Sequence, residues 1–529
     1  MPAWSNNAFL WGVATSGYQS EGGYNGPDEP KNNWFHSETH GNVMPTGKAA
    51  EFWSRYEEDF HTCQQMGLNA FRMSLEWARI QPSTSAEPVS APPFDVAALD
   101  AYSDRIAACR RAGLEPIVTL HHFTHPAWLG IDAWLHEETV ACFVEYVQVS
   151  VTHINRRLTD YHQLPPIRWY ITTNEPNILV PNTYLSGMFP AGTTRGLTPF
   201  IRAYNLLLAA HIHAYNLIHD IYEEAGWEFP QVSLNTYCSD LYWSEKMIWD
   251  VLSLRQQAVK FTELQDYACA NAKQFEVEIS KANLPFRHNL PYRFGQLARH
   301  VSNWLGRRNF DVSHLSYCLQ VLEASPRLQV FDYLALDYYD PFLAHIFRLP
   351  LFSDFEFKTK DFRGWLMSGI TSKWWDWRSL PEGLHFFCQF YSREFGSAVG
   401  QVHCPVLIAE NGMAIRRKPD NSIATRRSDQ MLRSEYLKAH VYQVKRLVQE
   451  GIPMLGYLHW SMTDNYEWGS YTPRFGLFSI DFAQGSNRLV EDHLGDRPSE
   501  TYTQLIREFR NEFTELSRIG IETADVNLQ

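Results

Sequence analysis

At 529 residues, with 45% hydrophobic and 14% aromatic content, the chain is long enough to bury a large core, and length alone allows two or three domains. A formal charge of -13 argues against a general nucleic-acid binder, whose footprint is basic. No apolar run approaches the roughly 18–20 residues needed to span a bilayer. The eight cysteines are scattered, with no CxxC or Cys/His cluster, so neither a zinc site nor a dense disulfide framework is indicated.

In chain order, short β-rich runs fall at 8–14, 69–74, 115–121, 167–173, 231–236, 332–338, 404–409 and 453–459, separated by longer amphipathic stretches. Alternating strands and helices predict a parallel sheet, and eight such units fit an α/β fold of the (β/α)8 barrel type, with chemistry at the strand C-terminal ends. The segment after the first strand, Gly12-Val13-Ala14-Thr15-Ser16-Gly17, lacks the G-x-G-x-x-G turn that a doubly wound dinucleotide fold would show there. No linker, low-complexity tract or internal repeat marks a boundary, so a single domain over 1–529 is expected. A plain barrel takes about 250 residues. The surplus is expected in a helical insertion at about 238–330 and an aromatic loop at about 340–380, both over the catalytic face, where long loops shape a substrate entrance. The N-terminus lacks a basic region followed by an apolar stretch, and a soluble cytoplasmic location is the expectation.

Two glutamates end apolar runs: Glu175 in Thr172-Thr173-Asn174-Glu175-Pro176 and Glu410 in Ile408-Ala409-Glu410-Asn411-Gly412. Two carboxylates facing one site can break a glycosidic bond, one protonating the leaving oxygen while the other attacks or activates water. Either glutamate alone reads equally well as a solvated loop charge. Together with Phe9-Leu10-Trp11-Gly12, Trp460-Ser461-Met462-Thr463-Asp464-Asn465-Tyr466-Glu467-Trp468 and Arg474-Phe475-Gly476-Leu477, they make the chain resemble the retaining β-glucosidases and β-galactosidases of glycoside hydrolase family one, over nearly its whole length.

The resemblance implies Glu175 as general acid/base and Glu410 as nucleophile, with Arg72 and Tyr339 beside the nucleophile. It also implies Gln19, His122, Asn174, Trp460, Glu467 and Trp468 around the sugar, and Trp377 on the aglycone side. Neither metal nor organic cofactor is implied. His121 and His122 are adjacent on a strand and are expected to point to opposite faces, against joint ligation of an ion. A carboxylate at 467 disfavours 6-phosphorylated sugars, for which family relatives carry serine there. The implied activity is hydrolysis of terminal unphosphorylated β-D-glucosides, with β-D-galactosides and β-D-fucosides as further substrates. Transglycosylation, or action on a glycolipid at a membrane surface, is the alternative.

Two departures stand out. Asp337 precedes Tyr338-Tyr339 where the family usually has asparagine, and Phe123 follows the glycone histidine where tryptophan is common. Within the insertion, Leu297, Ala298, Val301, Trp304 and Leu305 recur at helical spacing among Arg293, Arg299, His300, Arg307 and Arg308. That pattern reads either as a helix packed on the barrel with its arginines solvated or as a peripheral membrane contact.

Overall fold

The computed structural model describes residues 9–518 except 84, 86–89, 193, 283, 285–289, 310, 342–373 and 397–402. Nine parallel strand segments form one sheet: β1 (Leu10–Ala14), β2 (Ala70–Ser74), β3 (Glu115–Thr119), β4 (Trp169–Ile171), β5 (Gln231–Ser233), β6 (Asn235–Tyr237), β7 (Leu334–Tyr338), β8 (Val406–Asn411) and β9 (Met454–Trp460). Their order, β5-β4-β3-β2-β1-β9-β8-β7-β6, starts and ends on segments separated only by Leu234. β5 pairs with β4 and β6 with β7, so one interrupted strand closes the ring and the barrel has eight staves. This matches the expected (β/α)8 barrel.

Each stave is followed by a helix of the outer ring: α1 (Phe52–Gln65), α2 (Val96–Arg111), α3 (Glu137–Arg156), α4 (Leu197–Ala225), α5 (Ser316–Ala324), α6 (Pro381–Glu394), α7 (Arg433–Gln449) and α8 (Pro498–Arg518). Strand alternation sorts the core into two layers. On β1, Leu10 and Ala14 join Ala70, Ile117, Ala335, Leu407 and Leu458 inside the barrel, whereas Trp11 and Val13 face the helices. Local chemistry sets helix starts: Asp95 caps α2 by accepting from the amides of Ala97 (2.8 Å) and Ala98 (3.3 Å), and Pro381 opens α6.

The segment between β6 and α5 holds the helices Lys246–Leu252, Leu264–Lys281 and Leu290–Asn309. Its last long helix differs from the packed reading of the sequence. Arg299 and Asn303 are fully buried, while Leu297 (60%), Val301 (47%), Trp304 (49%) and Leu305 (45%) are solvent-exposed. The polar face turns inward because partners wait there: Asn303 Nδ2 donates to Glu276 (3.0 Å), Arg307 pairs with the same carboxylate (3.4 Å), and Arg299 faces Asp240 (3.8 Å). Most of the expected aromatic loop, 342–373, lies outside the described residues. No described helix is long and apolar enough to cross a membrane.

Candidate active site

Parallel strands in a closed ring bring all their C-terminal ends to one mouth, and the residues singled out in the sequence converge there. A cavity of about 270 Å³ is lined by Gln19, His122, Asn174, Glu175, Tyr339, Trp377, Glu410, Trp460, Glu467 and Trp468 among others. Arg72 lies beneath it. The insertion contributes Ser239, Asp240, Leu241 and Ser244 to the wall, which places part of it over the catalytic face.

Arg72, at the end of β2, is fully buried. Its Nη1 donates to Glu410 Oε1 (2.7 Å) and to the Ala409 carbonyl (3.2 Å), its Nη2 to Asn174 Oδ1 (2.5 Å), and its Nε to Thr119 Oγ1 (3.0 Å). Tyr339 Oη donates to Glu410 Oε2 (2.8 Å), so both oxygens of this carboxylate hold a donor. Burial pushes the Glu410 carboxyl up, and Arg72 and Tyr339 pull it back.

Glu175 is treated differently. It follows β4 in the left-handed region (φ 37°), where the chain turns into the short helix Pro176–Pro181. Backbone bonds pin this turn: the Asn174 amide donates to the His121 carbonyl (2.8 Å) and the Glu175 amide to the Asn235 carbonyl (3.0 Å). The Glu175 side chain is buried and its Oε1 has no hydrogen-bond donor. Burial, then the charge of Glu410, pushes this carboxyl well above its usual range, with Asp337 and Arg72 opposing.

Elsewhere on the cavity wall, Glu467 accepts from Gln19 Nε2 (3.0 Å) and Trp460 Nε1 (3.1 Å). Burial lifts its carboxyl to about 8 against the Trp460 bond that lowers it. The His122 ring lies parallel to the rings of both Trp460 and Trp468, each 5.8 Å away. His121 turns to the other side of the strand, where Trp134 Nε1 donates to its Nε2 (3.3 Å), so the two histidines cannot close on one ion. Phe123 packs on Trp468 (4.8 Å) and Phe189 (5.3 Å). Trp377 stands across the cavity against Tyr339 (5.7 Å) and Tyr237 (6.1 Å).

Asn235 and Tyr237 belong to the site and were not singled out in the sequence. Asn235 Nδ2 donates to Asn174 Oδ1 (2.8 Å) and to Asp337 Oδ2, and the Tyr237 ring stacks on Tyr339 (5.8 Å). Their signal was the period of two at the end of a barrel strand, which puts both side chains on the inner face. Asp337 does point into the site. Carboxyl oxygens of Glu175, Asp337 and Glu410 lie within 4.8 Å of one another.

The sequence profile of Glycosyl hydrolase family 1 matches residues 1–264 and 311–495. The chain belongs to that family. It is thus a β-glycosidase of a retaining family, for which a reaction through two glutamates is typical. Residues 265–310, which the profile passes over, hold most of the two insertion helices Leu264–Lys281 and Leu290–Asn309. Beta-glucosidase A of Thermotoga maritima is 27% identical over 494 residues, covering 92% of this chain and 94% of that protein. The 6-phospho-beta-galactosidase of Staphylococcus haemolyticus is 23% identical over 493 residues, covering 90% and 93%. Among solved structures, the Thermotoga maritima beta-glucosidase in complex with castanospermine aligns with a TM-score of 0.61 at 23% identity, covering 96% of this chain and 98% of that one.

Arg72 is the cation facing three buried carboxyls, and its loss should show as a pH-dependent defect. Without it, Glu410 and Asp337 rise further; a buried carboxyl with a raised pKa destabilises the fold above its unfolded value, increasingly as pH climbs toward the folded one. Arg72→Met should therefore lose about 3–5 kcal/mol at neutral pH, with the deficit shrinking on acidification toward about pH 5. Thermal melts across that range would show it, and a pH-independent deficit would contradict the assignment.

Proposed function

We propose that the enzyme hydrolyses terminal, unphosphorylated β-D-glucosides, accepting β-D-galactosides and β-D-fucosides, with Glu410 as nucleophile and Glu175 as general acid/base. What supports this division of labour is the unequal treatment of the two carboxyls. Glu410 receives donors on both oxygens, which favours the ionised form, whereas buried Glu175 is held protonated beside it. Glu410 attacks the anomeric carbon as Glu175 passes its proton to the departing glycosidic oxygen, leaving a glycosyl ester on Glu410. Glu175, now ionised, takes a proton from water as that water attacks the anomeric carbon and frees Glu410.

Gln19, His122, Asn174, Trp460, Glu467 and Trp468 form the glycone end in this reading, with Glu467 bonding sugar hydroxyls, and Trp377 forms the aglycone end. The preference for an unphosphorylated sugar rests on a missing cation: among the described lining residues there is no lysine or arginine to meet a phosphate dianion. A cytoplasmic location accords with eight unpaired cysteines.

A second reading, contact with an anionic membrane surface, is favoured by the outward apolar face of Leu290–Asn309. Leu297, Val301, Trp304 and Leu305 stand in solvent beside exposed His300 and Arg308, the latter over the Trp304 ring (5.5 Å). That basic, aromatic fringe complements anionic headgroups. The helix also reaches the pocket rim, since Arg299 faces the lining residue Asp240 (3.8 Å).

Glu410→Ala should cut turnover of aryl β-glucosides by roughly 10⁴-fold or more, with azide restoring activity as the inverted glycosyl azide; substantial unaided turnover in folded protein would refute the nucleophile. The native enzyme should act at least about 100-fold less well on 6-phospho-glucosides than on plain ones, the order of a few kcal/mol of unpaired charge, and comparable kcat/KM for the two would overturn the substrate assignment. Vesicles containing anionic lipid should co-sediment the protein at low salt, and the double variant W304S/L305S should not bind. A concentration-dependent dimer abolished by the same variant, with no vesicle binding, would instead assign that face to a second copy of the chain.

A further inference from the structure

Asp337 is a third carboxyl in the centre of the site, and the two-glutamate reaction does not require it. It is fully buried on β7, in register with Glu410 on β8. Its Oδ2 accepts from Asn235 Nδ2. Its Oδ1 is buried and has no donor within hydrogen-bond reach; the nearest cation is Arg72, whose Nη1 lies 3.9 Å away and is already committed to Glu410 at 2.7 Å. Glu175 Oε1 is likewise buried with no donor. Two orphaned carboxyl oxygens therefore occur in a cluster whose members approach within 4.8 Å. Buried polar atoms are normally hydrogen-bonded, and two acceptors facing each other can satisfy that only if one of them carries a hydrogen.

Resting on the reading of Glu175 as acid/base, we propose that Asp337 works as a neutral carboxylic acid, its Oδ1 hydroxyl donating to the Glu175 carboxyl while its carbonyl oxygen accepts from Asn235. Asp337 is thus a positioning residue, acting through Glu175 and not on the sugar. The surrounding charges agree. Ionising all three carboxyls against one guanidinium would leave two uncompensated negative charges at buried positions. With Asp337 neutral, Arg72 and Glu410 cancel each other and Glu175 holds its proton. When Glu410 becomes an ester and Glu175 gives its proton to the leaving oxygen, Arg72 and the new Glu175 carboxylate cancel instead, and the Asp337 hydroxyl stabilises that carboxylate. Net charge in the cluster stays constant through both steps. Among the described residues, the other titratable groups facing Asp337 are Tyr339, two residues along the chain, and Cys238 just after β6, with Tyr237 beside Glu175; burial pushes all three well above their usual values, so they stay neutral across the working range.

The test is Asp337→Asn, a neutral isostere that keeps a donor, read by pH profile and by infrared difference spectroscopy. If Asp337 is protonated, the alkaline limb of the variant's kcat/KM profile should lie at the native pH or higher, because one of two competing acids has been removed. The native-minus-variant infrared spectrum at neutral pH should carry the C=O band of a protonated carboxyl. A downward shift of the alkaline limb, as loss of an anion beside Glu175 would cause, would overturn the proposal, as would absence of that band. Glu175→Gln separates this from failure of the underlying reading: if it turned over alkyl and acidic-phenol glycosides with equal losses, Glu175 would not be the acid/base, whereas the infrared band reports on Asp337 alone.

Discussion

A single guanidinium organises the catalytic centre. Arg72 is fully buried, so its charge must be met by fixed groups in place of water, and it is met from three directions: the Glu410 carboxylate on β8, Asn174 at the end of β4 and Thr119 on β3. These bonds tie together staves that are distant in sequence. They also bear on protonation. Arg72 opposes the burial that pushes the Glu410 carboxyl up, and the charge of Glu410, added to burial, pushes Glu175 up. In the proposed reaction the difference between nucleophile and acid then comes from where one cation sits, since the two glutamates are chemically alike.

Around that centre the barrel supplies a largely aromatic wall. The rings of Trp460, Trp468, Phe123, Phe189, Tyr237 and Trp377 line the cavity with flat apolar faces, and Glu467 is fixed there by two donors. Burial strengthens each charge interaction inside and raises the cost of any polar atom left unpaired. The orphaned oxygens of Glu175 and Asp337 are conspicuous for that reason.

Much of this was legible in the chain. The barrel strands were readable because buried parallel strands are short, apolar and bounded by turn residues, and Glu175 and Glu410 because they terminate such runs inside distinctive strings. Asn235 and Tyr237 escaped notice because a polar and an aromatic residue alternating on a strand end look ordinary until the ring is closed. The break at Leu234, which lets one strand pair on both sides, leaves no compositional trace. For Leu290–Asn309, periodicity grouped Leu297, Val301, Trp304 and Leu305 on one face, but a period cannot say which face is inside. Glu276 and Asp240, remote in sequence, decided that by offering partners to the polar side.

The same inversion separates what is shared with the family from what is particular to this chain. Residues 265–310 fall outside the family profile, yet they reach the active site through Arg299, whose guanidinium faces Asp240 on the pocket wall. Nothing in that contact touches Arg72 or the carboxyls it organises. Chemistry and entrance are therefore held by different sets of bonds, one within the barrel and one between the insertion and the rim. A change in the insertion can alter what approaches the cavity while leaving proton placement intact. A change at Arg72 or Asn235 instead acts directly on the bonds that hold Glu410, Asn174 and Asp337.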